Sequence, residues 1–307
     1  MADPAPTGLT EADWDTLLRR IRDGECTPFI GAGACAGTIP LASALALDWA
    51  NEFGYPLRDS RDLARVAQFL VVDRDALFPK ALLRDQIRRL SPPDFDEKGE
   101  PHGVLADLGL PIYITTNYDS FMSEALRSRR AEPERELCAW NEIVAEQQPS
   151  ALDNGFKPTP ATPVVYHLHG HHEVPQSMVL TEDDYLTFLV RLSKDNVERL
   201  LPSAIRSALA STSLLFVGYS LADWDFRVLF RGLIGSLGRT VGTMSIAVQL
   251  EPETIDPTPE GRERALRYLN AYFETIQTIK VRVYWGHADD FGVELSDRWQ
   301  AFSKRGD

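Results

Sequence analysis

The stretch Phe29-Ile-Gly-Ala-Gly-Ala-Cys-Ala-Gly37 decides the fold of this 307-residue chain. A short apolar run at 27–30 predicts a buried strand that leads into it, and Gly31, Gly33 and Ala36 follow with G-x-G-x-x-[GA] spacing. Glycines at this spacing, directly after a strand and before a helix, allow a tight turn and a close approach of the backbone to a pyrophosphate. The alternative interpretation is a glycine-lined turn that binds nothing.

Strand-like apolar runs alternate with helical patterns along most of the chain. Besides the first strand, the pattern predicts strands at 112–116, 164–169, 213–217, 244–248 and 279–284. This alternation is typical of α/β proteins with a mostly parallel sheet and helices on both faces. The helical pattern at about 41–101 is too long for a simple crossover and predicts a helical insertion or cap. We expect a single Rossmann-like domain over residues 1–307.

Composition and charge exclude several classes of protein. With 45 acidic and 32 basic side chains the net charge is −13, which disfavours direct binding of nucleic acid or of an anionic membrane. Three cysteines without a C-x-x-C pair disfavour a disulfide framework and a four-cysteine zinc site. No signal peptide is expected, because residues 1–14 contain no basic region followed by an apolar one. No membrane span is expected either, because the uncharged stretch 26–47 is rich in glycine and proline. The low cysteine count predicts that the protein works in a reducing, cytoplasmic compartment.

A polar cluster, Thr115-Thr-Asn-Tyr-Asp119, follows the second predicted strand. Ligands of open α/β sheets collect at the carboxyl ends of the strands, so Asn117 and Asp119 are candidates for a binding site. Asparagine and aspartate also cap helices well, and a plain N-cap is the alternative for either residue.

Four of the six histidines fall between Tyr166 and His172. On a continuous strand His167, His169 and His171 would point to one side, as the ligands of a metal site do. A single catalytic histidine at the end of the strand, with Gly170 breaking the strand after it, fits the pattern as well. We expect no metal, since zinc sites normally draw ligands from more than one segment.

The segment 216–225 is the fourth candidate element of a binding site. A buried strand ends at Gly218, Tyr219 and Ser220 follow, and Asp223 and Asp225 stand at the start of a predicted helix. These residues form either a helix cap or a second dinucleotide contact in which a hydroxyl or carboxylate receives ribose hydroxyls.

In their order along the chain, the four elements resemble the sirtuin family, and especially its bacterial sirtuin-like branch. The matching elements are Gly31-Ala-Gly33, Thr116-Asn-Tyr-Asp119, His169-Gly170 and Val217-Gly-Tyr-Ser220 through Asp225. Two departures stand out. No cysteine follows Cys138, so the zinc ribbon of protein-deacylating sirtuins is absent, and Ala34-Cys35 occupies the place of the family's usual serine.

The resemblance implies an NAD+ hydrolase that forms nicotinamide and ADP-ribose, with NAD as substrate and no metal. It assigns the catalytic work to three residues: Asn117 orients the ribose and the attacking water, His169 acts as base with its ordinary pKa near 6.5, and Asp119 holds the nicotinamide amide or stabilises the cation. It places the following residues against NAD: Gly31, Ala32, Gly33, Thr116, Gly218, Tyr219, Ser220 and Asp223.

Members of the family that lack the ribbon look like effectors of bacterial antiphage defence, which arrest or kill the host by draining its NAD, and the resemblance implies this role for the chain. A NADase needs restraint, so the resemblance implies a homo-oligomer or a separately encoded regulatory protein, an ATPase or an Argonaute-type protein. One alternative is a sensor that binds NAD or ADP-ribose without cleaving it. The presence of both Asn117 and His169 favours the enzyme over that sensor. A deacylase or ADP-ribosyltransferase is the other alternative, and the missing ribbon disfavours it.

Overall fold

The computed structural model of the chain describes residues 8–192, 197–219, 244–252, 254–256, 258–274 and 280–304. Its strands are β1 Cys26–Ile30, β2 Ile112–Thr115, β3 Glu134–Leu137, β4 Val164–His167, β5 Ser213–Val217, β6 Met244–Gln249 and β7 Lys280–Trp285. They form one sheet in the order β3-β4-β2-β1-β5-β6-β7, and every pairing among the described strands is parallel. The strand order reverses at β1. The carboxyl end of β1 is therefore where a ligand is expected.

Helices cover both faces of the sheet, which confirms the fold class predicted from the sequence. The described helices are α1 Glu11–Arg22, α2 Ala42–Phe53, α3 Leu63–Asp73, α4 Phe78–Ile87, α5 Pro101–Ala106, α6 Phe121–Ser128, α7 Glu142–Gln147, α8 Glu182–Leu192, α9 Val197–Leu200, α10 Ser203–Ser211, α11 Pro259–Glu274 and α12 Ala288–Ser303. A short 3-10 turn, Ala32–Cys35, follows β1 directly. Within the described residues, no helix is long and apolar enough to cross a membrane.

Burial on both faces explains why the central strands read as continuous apolar runs. All five residues of β1 and of β5 are buried. Phe29 packs into the core cluster on one face of the sheet, together with Phe188 of α8, and Ile30 packs into the cluster on the other face, together with Leu17 of α1. Successive side chains thus anchor β1 to both helical layers and hold its carboxyl end in a fixed position.

Helices α2, α3 and α4 form a helical lobe with a core of its own. Leu45, Trp49, Leu70 and Leu83 are among the buried residues of this core. Its other members include Met178 and Leu180, which lie at the ends of a three-residue strap, 178–180.

The middle residue of the strap, Val179, packs instead into the sheet core. Its N–H donates to the carbonyl oxygen of His169 at 2.9 Å, and its own carbonyl oxygen accepts from the Tyr118 hydroxyl at 2.6 Å. The strap therefore joins the lobe to the sheet directly beside His169.

A nearly buried ion pair fastens the lobe to α8. Lys80 Nζ lies 2.9 Å from Asp184 Oδ2, and this oxygen also accepts the N–H groups of Leu180 and Thr181 at 3.1 and 3.0 Å. A lysine with an apolar stem is tolerated there because its charge is paired and its ammonium lies over the Trp140 ring.

We expect Lys80→Met to lower the free energy of unfolding by about 2–3 kcal/mol, because it leaves the Asp184 carboxylate buried without its cation. Lys98→Met is the matched control, since the Lys98–Asp297 pair is largely exposed and its loss should cost less than about 1 kcal/mol. Urea unfolding of the three proteins measures both values. Equal effects of the two substitutions would contradict the structural role of the buried pair.

The structure corrects the sequence interpretation around β4. The predicted strand 164–169 ends at His167, and Gly170 adopts a φ of +85° in the turn that follows. A Cβ atom at Gly170 would lie 2.1 Å from the carbonyl oxygen of Ser177, so the turn packs directly against the backbone before the strap. His169 therefore lies beyond the strand and does not share a strand face with His167.

Candidate active site

Three glycines form a seam between the ends of β1 and β5. The N–H of Gly31 donates to the carbonyl oxygen of Val217, and the N–H of Gly33 donates to that of Gly218, both at 2.9 Å. A Cβ atom at Gly31 would lie 2.8 Å from the Gly218 oxygen, and one at Gly33 would lie 2.9 Å from the Gly218 Cα. The glycine pattern thus serves the contact between the two loops, and these two N–H groups are already bonded within the protein.

We expect Gly218→Ala to destabilise the chain by about 2–3 kcal/mol, because Gly218 combines a φ of +79° with a close backbone contact. Its Cβ would lie 2.2 Å from the Ala34 nitrogen. Gly37→Ala is the control: its φ is +87°, but nothing lies within 4 Å of the added atom, so about 1 kcal/mol is expected. Thermal unfolding measures the difference, and equal losses would show that the seam is not tightly packed.

Tyr219 ties the ends of β2 and β5 together across β1. Its hydroxyl donates to the Ile30 carbonyl oxygen at 3.0 Å, so the Thr116 hydroxyl is the donor in their 2.6 Å contact. The Thr116 N–H bonds to the same Ile30 oxygen at 3.1 Å. The Tyr219 ring packs edge-on against Phe29, with centroids 5.3 Å apart. These contacts hold the three strand ends together at the point where the strand order reverses.

A pocket of about 290 Å³ opens at these strand ends. Polar groups from the sheet line one side of it, and apolar side chains of the helical lobe and of α8 line the other. Its lining residues are Ala32, Cys35, Ile39, Pro40, Ala42, Leu45, Leu63, Leu83, Ile87, Thr116, Asn117, Tyr118, Asp119, His169, Tyr185, Phe188, Leu189, Gly218 and Tyr219. A mostly apolar cleft with a few convergent polar groups is typical of a small-molecule site.

The structure brings most of the predicted site residues to this pocket. All three predicted catalytic residues line it, together with four of the predicted NAD contacts: Ala32, Thr116, Gly218 and Tyr219. The predicted contacts Gly31 and Gly33 belong to the seam. Ser220 and Asp223 lie outside the described residues, as does the helix predicted after β5.

Asn117 is buried where the loop after β2 meets the glycine loop. Its Nδ2 donates to the Gly31 carbonyl oxygen at 3.1 Å and lies 3.2 Å from Cys35 Sγ, while its backbone N–H donates to the Thr115 hydroxyl at 2.9 Å. Both amide protons therefore point toward the protein. The Oδ1 atom is the part of the side chain that can accept a hydrogen bond from a ligand.

Asp119 lines the pocket and bonds to the backbone at the start of α6. Its Oδ1 accepts the N–H of Phe121 at 2.9 Å. The N-cap residue of α6 is Ser120, so the alternative of a plain N-cap at Asp119 is wrong. Its Oδ2 accepts a hydrogen bond from the Cys35 thiol, with Sγ 3.4 Å away. Burial and the Asp119 charge raise the pKa of Cys35 well above its ordinary value, so the thiol keeps its proton.

His169 sits in an apolar wall of the pocket. Its side chain is 8% exposed, and the rings of Tyr185 and Phe188 meet it edge-on at centroid distances of 5.5 and 5.1 Å. Burial lowers the pKa of His169 to about 3. The expectation of an ordinary pKa near 6.5 is therefore wrong, because that value belongs to a solvated ring. A neutral His169 accepts a hydrogen bond through one ring nitrogen at physiological pH.

His167 and His171 make hydrogen bonds to other parts of the protein. His167 Nδ1 lies 3.1 Å from the Asn117 carbonyl oxygen, and the Arg135 guanidinium donates to His171 Nδ1 at 3.2 Å. His171 Nε2 then carries the proton and donates to the Ser120 hydroxyl at 2.9 Å. Within the described part of the chain, His167, His169 and His171 do not converge as metal ligands.

Sequence reasoning missed a second buried cluster behind Asp119. His102 Nδ1 lies 2.7 Å from Glu100 Oε1, and His102 Nε2 faces Cys35 Sγ at 3.8 Å. The other Glu100 oxygen accepts the N–H of Gly103 at 2.6 Å, which fixes the carboxylate. In sequence Glu100-Pro-His102 indicates only a helix start, and Cys35 is 67 positions away, so no local signal predicts the contact.

The part of the chain that carries these site residues matches a known protein family. A family model described as a SIR2-like domain matches residues 111–276, which is more than half of the chain and includes Asn117, Asp119 and His169. The chain belongs to the SIR2-like family. This confirms the resemblance on which the sequence analysis rested.

Curated relatives of this SIR2-like chain carry the name NAD(+) hydrolase ThsA. Those from Bacillus cereus (strain MSX-D12), Cytobacillus dafuensis and Enterococcus faecium are each 26% identical to it, over 67%, 81% and 69% of this chain. The matches cover 39%, 46% and 41% of those proteins, so the chain spans less than half the length of these relatives. A solved structure described as "Structural Basis for the Mechanism and Regulation of Sir2 Enzymes" is 13% identical to the chain, covers 96% of it and 100% of its own length, and has a TM-score of 0.44.

Proposed function

We propose that this SIR2-like chain is an NAD+ hydrolase that cleaves the bond between nicotinamide and ribose. The observation that carries the proposal is the convergence of Asn117, Asp119 and His169 on one pocket beside the glycine loop. The three residues come from the loops after β2 and β4, and they meet at the edge of the sheet where ligands of such folds bind. The names of the ThsA relatives support the same activity.

The proposed reaction requires few catalytic groups from the protein. The C1′–N bond breaks with its electron pair going to nicotinamide, which leaves as a neutral molecule, and a water oxygen bonds to C1′ and releases one proton. The transition state has oxocarbenium character, as in glycoside hydrolysis. A general acid for the leaving group is unnecessary, so the protein has to position the ribose and the water and stabilise positive charge.

Each of the three residues suits one of these tasks. Asn117 holds its amide protons in the protein, which leaves Oδ1 to accept from a ribose hydroxyl or from the attacking water. The Asp119 carboxylate, at the pocket wall, stabilises positive charge at the anomeric carbon. His169 accepts a hydrogen bond from the water or from a ribose hydroxyl, and its burial keeps it neutral for this purpose.

NAD consumption by the purified chain, with chromatography of the products, tests the proposal. We expect nicotinamide and ADP-ribose in equal amounts. Binding of NAD or ADP-ribose without any turnover of NAD would overturn the hydrolase and identify a sensor. Transfer of ADP-ribose to a peptide, or deacylation of an acyl-lysine peptide, would identify a transferase or a deacylase instead.

The same proposal includes a role in antiphage defence through NAD depletion, with restraint by self-association or by a separately encoded ATPase or Argonaute-type partner. The resemblance to sirtuin-like defence effectors supports this part. Phage plating on bacteria that express the complete protein tests it. Equal plaque numbers with the wild type and with an inactive variant would contradict the defence role.

A further inference from the structure

The donor atoms of three side chains converge at the base of the pocket, where Cys35 and Asp119 line it and His102 lies behind them. Cys35 Sγ, His102 Nε2 and Asp119 Oδ2 lie on three different segments, and all three residues are buried. The sulfur is 3.8 Å from the His102 nitrogen and 3.4 Å from the Asp119 oxygen, and one ligand atom from each residue lies within 4.8 Å of the other two.

The two separations measured from the sulfur are close to those of a tetrahedral zinc site. With bonds of about 2.3 Å to sulfur and about 2.0–2.2 Å to nitrogen or oxygen, tetrahedral angles place the sulfur about 3.5 Å from each of the other two ligand atoms. The donor set of thiolate, imidazole and carboxylate suits Zn²⁺, which is of intermediate softness. A thiolate and a carboxylate also balance the double positive charge, which a buried site requires.

The surroundings of His102 are those of a metal ligand. Glu100 can only accept at Nδ1, so His102 carries its proton there and turns the Nε2 lone pair toward Cys35. The rings of Phe95 and Phe121 meet the imidazole edge-on, at centroid distances of 6.5 and 5.9 Å, and fix its orientation. A carboxylate behind a histidine ligand is the usual outer partner in zinc sites.

We propose that Cys35, His102 and Asp119 bind one zinc ion at the base of the pocket, and that the bound ion blocks NAD turnover. The ion enters through the pocket, because Cys35 and Asp119 both line it. On binding, the thiol releases its proton to solvent and a zinc–sulfur bond forms. The ion, the Cys35 thiolate and the Asp119 carboxylate together carry no net charge. The pocket wall therefore loses the negative charge of Asp119 where the ribosyl cation would develop.

Cobalt and zinc titrations of the purified, chelator-treated chain test the site without NAD. We expect one ion per chain and a cobalt–thiolate absorption band that Cys35→Ser abolishes. Cys26→Ala, which removes a buried thiol at the opposite end of β1, keeps the band. Glu100→Gln should weaken zinc affinity about 10–100-fold. A wild-type chain without the band, or an unchanged band in Cys35→Ser, would overturn the proposal.

X-ray absorption of the zinc-loaded wild type decides the ligand set even if a variant fails to fold. The expected first shell contains one sulfur at about 2.3 Å, with nitrogen or oxygen completing it. A shell of nitrogen and oxygen alone would exclude Cys35.

The blocking role rests on the proposed NAD+ hydrolase activity and has its own measurement. Turnover should fall to background as the site fills, with half-inhibition at the zinc concentration that half-loads the chain, and excess chelator should restore it. Full turnover by the loaded chain would refute the blocking role. If the zinc-free chain does not cleave NAD, the proposed function fails and the blocking role with it, whereas the titrations still decide the zinc site.

Discussion

His169→Ala and Asn117→Ala are each expected to lower the rate of NAD turnover by about 10²–10⁴-fold. His169 supplies the acceptor in an otherwise apolar wall, and Asn117 supplies Oδ1 beside the seam. Because both act on the reacting groups, the loss should fall mainly on kcat, with NAD binding weakened much less. Single-turnover measurements with saturating NAD separate the two effects.

His287→Ala is the control for these substitutions, since His287 is exposed and does not line the pocket. Its turnover should equal that of the wild type. Near-ultraviolet circular dichroism and thermal unfolding show whether the two site variants keep the fold. If folded His169→Ala and Asn117→Ala proteins both cleave NAD at the wild-type rate, the site assignment is wrong.

The free energy of unfolding is expected to fall steeply as the pH drops from 6.5 to 5. Burial lowers the pKa of His167 to about 4 and that of His169 to about 3, and it also lowers the pKa of His171 and of His172. In this pH range the unfolded chain binds protons that the folded chain does not, so acid favours unfolding. At pH 5 the loss is about 2 kcal/mol for each of His167 and His169, or about 4 kcal/mol together.

Urea unfolding at intervals between pH 5 and pH 8 measures this dependence. His169→Gln removes one titrating group of similar size, and the slope should fall by about 1.4 kcal/mol per pH unit below pH 6.5. Burial raises the pKa of Glu124 and of Glu136, which act in the opposite direction, so the difference between the two proteins isolates the histidine. Identical slopes would show that His169 is solvated in the folded chain.

The sequence predicted those parts of the fold in which burial produces a recognisable pattern of apolar residues. The strands β1, β2, β4, β5 and β6 read as apolar runs because both faces of the sheet are covered there. The edge strand β7 instead alternates charged and apolar residues in Lys-Val-Arg-Val. The edge strand β3 was missed: its sequence, Glu-Arg-Glu-Leu, is charged, it pairs with β4 alone, and Glu136 is buried by accepting the N–H groups of Ala151 and Leu152. Its strand character comes from its neighbour and not from its own composition.

The candidate site also has a part that the sequence predicted and a part that it did not. Asn117, Asp119 and His169 follow strands, and parallel strands bring their carboxyl ends to one edge, so their proximity could be predicted from order alone. The Glu100–His102–Cys35 contact depends on how α5 docks beside the 3-10 turn after β1, which no spacing encodes. The lowered pKa of His169 was missed for a related reason, since it depends on Tyr185 and Phe188 from the following helix.

The strap 178–180 connects the helical lobe directly to the backbone of His169. Its outer residues, Met178 and Leu180, are embedded in the helical lobe, while Val179 holds the backbone of His169. The carbonyl oxygen of Val179 also accepts from the hydroxyl of Tyr118, which lines the pocket between Asn117 and Asp119. A displacement of the lobe would therefore reach His169 and Tyr118 together, through the two hydrogen bonds of one residue.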